Sequence, residues 1–226
     1  MDRQHEMVEK KLVEEILAGV YPPGSSLPGE RELARLYGVT RPTVRSALQR
    51  ISRDGWIAIN ERRATTIRDY WTEGNLNVLS AIAENRGGPN APFIRDLLEV
   101  RAAAAPDYAA GAVRRDSMAV VALLARPFDP RDPGSFCHFD WQLHLDLARL
   151  SGNRIYPLML NSFTSLYFRA GALYFGSEEG RRASRKFYSG LMEAAVNRDH
   201  RAAGEETRDA MLESLRIWVR LARGGR

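Results

Sequence analysis

Apolar residues in the first part of the chain recur at helical spacing, and further along they alternate with polar residues. Residues 6–19 predict an amphipathic helix. Its inward stripe consists of Val8, Leu12, Ile16 and Leu17. Residues 26–50 predict two short helices joined by a turn at 37–40. The spacing then changes to a period of two, which predicts two short strands over 56–59 and 64–68, joined by a polar turn.

The connection between the two short helices carries residues suited to end one helix and start the next. In the first helix Leu33 and Leu36 form the expected apolar stripe. Gly38 can adopt the left-handed conformation of a C-cap. Thr40 is a good N-cap, and Pro42 falls in the first turn, where a missing N–H costs little. Two helices joined in this way are typical of a helix-turn-helix.

The second of these helices has one apolar face and one polar face. Its inward residues are Val44, Leu48 and Ile51. The opposite row consists of Arg41, Arg45 and Gln49. The second helix of a helix-turn-helix enters the major groove of DNA, so this row is the candidate base-reading face. With the two strands as a wing, we predict a winged helix-turn-helix DNA-binding domain over residues 1–70.

Charge is concentrated in the same module. From Thr40 to Arg68 there are seven Arg against Asp54 and Glu61, a local balance of +5 that equals the net charge of the whole chain. Such clustering is the electrostatic footprint of a protein that binds the phosphate backbone. A solvated basic face without a ligand is the alternative, and the order of turn, cap and wing argues against it.

The remainder of the chain, residues 71–226, shows helical patterns throughout. The predicted helices are 76–84, 91–114, 116–125, 136–150, 155–175, 178–198 and 200–222. Pro106 is expected to kink or divide the second of these. Short connections predict an antiparallel bundle of six or seven helices. The fold class is therefore mainly α, with a small α+β module at the front, and the bundle is expected to bind an effector and to dimerise.

Composition narrows the function classes. No apolar run in the 226 residues approaches the length needed to cross a bilayer, and the first residues lack the pattern of a signal peptide, so we expect a cytoplasmic protein without membrane contact. Cys137 is the single cysteine and is expected to be a packed apolar residue. Cys137 and His138 point in different directions on a helix, and a catalytic constellation is missing, so we predict that the chain is not an enzyme.

Three stretches, LPGERELA at 27–34, GVTR at 38–41 and VRSALQR at 44–50, resemble the GntR family of bacterial transcription regulators. The helical part resembles the FadR-type branch of that family, and within this branch it is most similar to the regulators of fatty-acid metabolism. Stretches that carry this second likeness are 53–56, 71–79, 151–156, 166–167, 174–175, 187–188 and 213–218. The resemblance implies a homodimer that binds a palindromic operator in double-stranded DNA as a repressor or activator.

The resemblance also implies which residues touch DNA. These are Arg31, Thr40, Arg41, Thr43 and Arg45, with the wing tip in the minor groove. Charge and position add Arg35, Gln49, Arg62 and Arg63 to the candidates. At the wing tip this chain departs from the family pattern, since Glu61, Arg62 and Arg63 stand where a His-Gly-Lys sequence is expected. Arg suits base reading because its fork can bind guanine through two hydrogen bonds.

For the bundle the resemblance implies long-chain acyl-CoA as the effector, bound by Tyr174, Ser214 and Trp218. Further apolar residues that would line the tunnel are Phe163, Leu166, Phe168 and Leu173. No cofactor is expected. The alternative is a metal-assisted carboxylate effector, because Asp140 and His144 match two of the four metal ligands found in the broader branch. Tyr188 and Ala210 stand where the other two are expected, so the ligand set is incomplete. A buried or surface Asp140–His144 pair and a bundle without any ligand remain open.

Overall fold

A computed structural model describes residues 2–60, 63–85 and 91–224, with side chains over 4–60, 63–85 and 91–222. The described backbone forms two compact units, the first ending at residue 85 and the second beginning at residue 91. The predicted fold class is confirmed: the chain is mainly helical, and a short hairpin lies in the first unit.

The first unit contains the predicted winged helix-turn-helix. Its elements are α1 (Asp2–Leu17), α2 (Glu30–Tyr37), α3 (Arg41–Asp54), β1 (Ile57–Ala58), β2 (Thr66–Ile67), α4 (Tyr70–Glu73) and α5 (Leu76–Glu84). The two strands are antiparallel, with Ile57 opposite Ile67 and Ala58 opposite Thr66. The predicted caps are confirmed, since Gly38 has a φ of 66° and the Thr40 side chain accepts a hydrogen bond from the Thr43 N–H.

The core of this unit is made by the predicted apolar stripes, with one correction. The buried residues include Val8, Leu12, Ile16, Leu33, Val44, Leu48, Ile51 and Trp56. Leu36, predicted to face inward, is 50% exposed, and Ala34 is buried beside Leu33 instead. Positions 33 and 34 lie about 100° apart on a helix, whereas position 36 lies on the far side of position 33. The short α2 buries only the arc between positions 33 and 34.

A backbone pairing that the sequence pattern does not show extends the hairpin. The Leu27 N–H donates to the Thr65 carbonyl at 2.8 Å, and the Ile67 N–H donates to the Ser25 carbonyl at 2.9 Å. The segment before α2 therefore runs as a third partner beside β2. This pairing fixes the start of α2 against the wing, which positions the two helices of the motif relative to the strands.

The segment after the wing returns to the end of α3. Asn75 donates from its backbone N–H to the Asp54 carbonyl and from its side chain to the Arg53 carbonyl, both at 3.0 Å. Asn77 donates to the Asp54 carboxylate at 2.7 Å. As a result α5, which the sequence pattern assigned to the bundle, packs on α1 and α3 of the first unit. Periodicity along the chain does not reveal these contacts between α5 and the first unit.

The second unit is a helical bundle. Its elements are α6 (Ala91–Leu124), α7 (Pro133–Leu150), α8 (Ile155–Asn161), α9 (Thr164–Gly176), α10 (Glu178–Val196) and α11 (His200–Gly224). The long α6 packs against α7, α10 and α11, and α9 packs against α7 and α10. Within the described residues this gives six helices, in agreement with the prediction. No helix in the described part of the chain is long and apolar enough to cross a membrane.

Two of the predicted long helices differ in detail from the structure. α6 is not divided at Pro106, and its backbone leaves helical geometry at Asp116, where the predicted helices 91–114 and 116–125 meet. The Asp116 carboxylate accepts from the Ala119 N–H at 2.9 Å and so caps the second part of α6. The predicted helix over 155–175 divides into α8 and α9, where the N–H groups of Ser162 and Phe163 bond only three residues back, to the Met159 and Leu160 carbonyls.

Candidate nucleic-acid interface and ligand cavity

The outer row of α3 is exposed in the first unit. The Arg41 and Arg45 side chains are 61% and 59% exposed, and Gln49 is also exposed. The inner face of the same helix is buried, with Val44 and Ile51 fully covered. The predicted division of α3 into an inner and an outer face is confirmed. The exposed row is free to approach the edges of DNA bases, which are read in the major groove.

The start of α3 carries two hydroxyl groups. The Thr40 and Thr43 oxygens lie 2.9 Å apart, and the Thr43 N–H donates to Thr40 at 3.4 Å. Each hydroxyl keeps further hydrogen-bonding capacity. Because they stand at the N-terminus of a helix, where the dipole and open N–H groups favour anions, they are well placed for a phosphate oxygen.

Glu30 on α2 holds Arg45 of α3 in a fixed orientation. The Arg45 Nε donates to Glu30 Oε1 at 2.9 Å, and Arg45 Nη2 donates to Oε2 at 2.7 Å. Arg41 Nη2 lies 3.9 Å from the same Oε2. These hydrogen bonds from Arg45 lower the pKa of Glu30. Sequence analysis did not select Glu30, because the contact joins two helices across the turn and no spacing within one helix indicates it.

The remaining predicted DNA contacts lie on α2 and at the wing. Arg31, Arg35 and Arg63 are exposed. Arg62 lies outside the described residues. All described candidates therefore belong to the first unit and present their side chains to solvent or, for Thr43, are half-buried. Their role in DNA binding stays a prediction.

The second unit contains an apolar cavity of about 60 Å³. Residues from all six helices line it, together with Phe163 in the connection between α8 and α9. Of the predicted effector contacts, four line this cavity: Phe163, Tyr174, Ser214 and Trp218. Leu166 is fully buried but does not line it, and neither do Phe168 and Leu173. Residues far apart in the sequence thus come together around one space.

One side of the cavity is polar. Asp140 on α7 accepts hydrogen bonds from Tyr167 of α9, from Tyr188 of α10 at 2.6 Å and from Arg101 of α6 at 3.2 Å. Burial raises the pKa of Asp140, but His144, Arg101 and the two tyrosine hydroxyls outweigh this effect and lower it. Asp140 is therefore a carboxylate that is fully hydrogen-bonded inside the bundle. We call these four residues, Asp140, Arg101, Tyr167 and Tyr188, the polar cluster.

His144 lies one turn after Asp140 and is 1% exposed. Its Nδ1 is 2.8 Å from the Tyr108 hydroxyl. Burial and the nearby Arg101 lower the pKa of His144 to about 3, although Asp140 raises it, so the ring is neutral near pH 7. Its Nε2 lies 3.7 Å from Asp140 Oδ2, which is too far for a hydrogen bond.

The predicted pairing of Asp140 and His144 on one helical side is confirmed, and both are buried rather than on the surface. Tyr188, at the position of the third expected metal ligand, donates to Asp140 instead. The described residues contain no group of three or more His, Cys, Asp or Glu side chains able to hold a metal ion. A cation here would also face the positive charge of Arg101. The geometry therefore disfavours the metal alternative.

Cys137 is buried on α7, as predicted. Burial raises the pKa of its thiol to about 12, so it is not ionised near pH 7. A Cβ on Gly171 would lie 2.5 Å from the Cys137 sulfur, which shows how closely α7 and α9 approach here. Cys137 is a packing residue beside the cavity.

Comparison with known proteins assigns both parts of the chain to protein families. Residues 4–67 match the model of the bacterial regulatory proteins of the gntR family, and residues 68–224 match the FadR C-terminal domain. A fatty acid metabolism regulator protein of Shewanella pealeana is 38% identical over 193 residues, covering 85% of this chain and 81% of that protein. Its counterpart in Shewanella frigidimarina is 36% identical over 214 residues, covering 94% and 90%.

A solved structure of Streptococcus agalactiae GntR covers 94% of this chain and 99% of its own, with 20% identity and a TM-score of 0.46. The relatives named above are regulators rather than enzymes, in agreement with the prediction. The chain therefore belongs to the GntR family of bacterial regulatory proteins, and its second part is a FadR C-terminal domain.

Proposed function

We propose that this protein is a bacterial transcription regulator of fatty-acid metabolism that releases its operator when long-chain acyl-CoA binds in the bundle. The main support is that one unit presents an exposed arginine row on a helix-turn-helix while the other encloses an apolar cavity. The names of the curated relatives support the metabolic assignment. The protein would act in the cytoplasm, where bacterial DNA lies.

The reading helix would be α3. Its exposed face carries Arg41, Arg45 and Gln49, and its N-terminus carries the two threonine hydroxyls. Arginine discriminates guanine through a two-hydrogen-bond contact, whereas threonine and the exposed arginines of α2 suit phosphates. One such module reads few base pairs. We therefore propose a homodimer on a palindromic site, because two-fold symmetry doubles the contact surface.

The effector would occupy the bundle cavity. Its lining is mostly apolar, as the alkyl chain of an acyl-CoA requires. The cavity is smaller than the roughly 300–1,000 Å³ typical of ligand pockets, so the ligand must push side chains or helices apart. The polar cluster ties α6, α7, α9 and α10 together beside this space. A ligand that enlarges the cavity by moving one of these helices would therefore strain the hydrogen bonds of the polar cluster.

The test is a binding titration with the full-length protein at fixed salt, since affinity for DNA falls steeply with ionic strength. Fluorescence anisotropy would follow a palindromic operator and a scrambled duplex of equal length, with and without hexadecanoyl-CoA. We expect preference for the operator and its loss on adding hexadecanoyl-CoA. Equal affinity for both duplexes would contradict the proposed operator-specific regulator. Operator binding that hexadecanoyl-CoA leaves unchanged would contradict the proposed effector.

The second candidate is a metal-assisted carboxylate effector in the same cavity. It is favoured by the position of Asp140 and His144 on one helical side of the lining. Calorimetry with zinc or nickel, run beside calorimetry with hexadecanoyl-CoA, separates the two candidates. Stoichiometric metal binding without any heat from hexadecanoyl-CoA would replace the acyl-CoA proposal with this one.

A further inference from the structure

Two side-chain nitrogens of residues that line the cavity have no hydrogen-bond partner. Within the part of the chain that the structure describes, these are His144 Nε2 and Trp218 Nε1. Both residues line the cavity, and their side chains are 1% and 6% exposed. Buried polar groups in native proteins are almost always paired, because an unpaired donor loses its bonds to water without replacement. The two donors therefore indicate that something polar belongs in this space.

The neighbours of His144 determine which of its nitrogens carries the proton. The Tyr108 hydroxyl lies 2.8 Å from His144 Nδ1, and the Asp140 carboxylate lies on the Nε2 side of the ring, so the hydroxyl donates its proton to Nδ1. Since the ring is neutral near pH 7, its single proton is on Nε2. The carboxylate of Asp140 on the same side favours this arrangement. His144 thus presents a neutral N–H donor to the cavity, as Trp218 does.

The charge balance of the cavity wall selects the kind of acceptor. Asp140 is balanced by Arg101, and the hydroxyls of Tyr167 and Tyr188 are used in holding it. Among the described residues that line the cavity, Arg101 and Asp140 are the charged ones and they balance each other, so burying a carboxylate or a metal cation there without a counter-charge is costly. A neutral carbonyl or hydroxyl oxygen matches the donors without adding charge.

We propose that His144 is a specificity-determining residue, whose Nε2–H donates a hydrogen bond to a neutral oxygen in the buried portion of the effector. The inference rests on the proposed acyl-CoA function and adds to it. The oxygen has two sources, the thioester carbonyl or a hydroxyl substituent on the acyl chain. A plain alkyl segment placed against His144 would offer no acceptor and would leave the N–H donor unpaired.

The experiment compares three probes on the full-length protein in the presence of a chelator. These are hexadecanoyl-CoA, its thioether analogue S-hexadecyl-CoA, which lacks only the carbonyl oxygen, and 3-hydroxyhexadecanoyl-CoA. Each is titrated into the wild type, His144→Phe and the control Met159→Leu, which alters the lining without touching an N–H. Phenylalanine keeps a ring stacked on Phe187 but removes the donor.

If the thioester carbonyl is the partner, we expect the wild type to bind the thioether about tenfold more weakly than hexadecanoyl-CoA. If a hydroxyl on the acyl chain is the partner, we expect it to bind the hydroxy derivative about tenfold more tightly than hexadecanoyl-CoA. His144→Phe should reduce that difference to less than about twofold, and Met159→Leu should keep it. If the wild type does not distinguish the probes, or if His144→Phe still does, the inference is wrong.

Two further measurements keep the result interpretable. If His144→Phe does not unfold cooperatively, His144→Leu removes the same donor and replaces it in the comparison. Zinc is also titrated without chelator, and stoichiometric binding that His144→Phe abolishes would overturn the inference in favour of a metal ligand. If no probe binds to a wild type that still binds its operator, the acyl-CoA function fails together with this inference. If hexadecanoyl-CoA releases DNA with no dependence on His144, only this inference fails.

Discussion

Arg45 with Glu30 and Arg101 with Asp140 are the same kind of ion pair in opposite surroundings. In the first pair the side chains are 59% and 27% exposed, and in the second they are 15% and 4% exposed. Solvent weakens the first attraction, so DNA can compete for Arg45 at little cost. Removing one partner of the second leaves a buried charge without its counter-charge. The exposed pair is therefore suited to recognition, and the buried pair to holding helices in place.

The largest expected effect is the loss of folding stability when the arginine of the buried ion pair is removed. Arg101→Met should lower the free energy of unfolding by about 3–5 kcal/mol, because Asp140 stays buried without its positive partner. The control Arg126→Met removes an exposed partner of Asp146, with 53% of the Arg126 side chain accessible, and should cost less than about 1 kcal/mol. Urea unfolding measures both. Equal losses would show that burial does not distinguish the pairs.

The stability of the fold should depend on pH through His144 in the cavity wall. The pKa of His144 is lowered in the folded state, so below its unfolded value of about 6.5 the unfolded chain binds the extra proton. Stability should therefore fall as pH decreases from 6.5 towards 4.5, by at most about 1.4 kcal/mol per pH unit. The slope should be smaller in His144→Phe. Melting temperatures across this range test it, and equal slopes in both proteins would contradict it.

Arg45→Ala should act on DNA recognition and leave stability unchanged. We expect specific operator binding to weaken about ten- to hundredfold, because one two-hydrogen-bond contact to a base is lost. Base choice should relax at one position of the operator, which a panel of single-base variants measures at fixed salt. Arg95→Ala in the second unit removes a comparable exposed arginine, paired with Glu99, and should leave operator binding unchanged. A uniform loss over all duplexes would make Arg45 a phosphate contact.

The smallest expected effect concerns Glu30. Glu30→Gln removes a negative charge near the DNA and frees Arg45 from its fixed orientation. Binding to a scrambled duplex should therefore strengthen, while the ratio of operator to scrambled affinity should fall about two- to fivefold. Anisotropy titrations on both duplexes measure the ratio. An unchanged ratio would show that the Glu30 contact does not position Arg45 for reading.

The two regions also differ in how far the sequence predicts them. The caps Gly38 and Thr40 and the exposed row on α3 follow from local rules, because short-range backbone preferences and helical spacing decide them. The prediction that Leu36 faces inward was wrong, because the width of the buried arc depends on what packs against α2. The division expected at Pro106 was wrong, since α6 continues through this residue, whereas the division predicted between residues 114 and 116 lies at Asp116. Glu30 was missed because its partner lies on another helix.

The sequence by itself determined the winged helix-turn-helix, the helical second part and the family, because these depend on periodicity, turn residues and motifs that are local in the chain. Only the tertiary structure decided that Asp140 is bonded by residues of three other helices, that α5 joins the first unit and that His144 and Trp218 face one cavity without partners. Burial and hydrogen bonding between distant segments depend on packing in three dimensions, and no spacing along one chain encodes them directly.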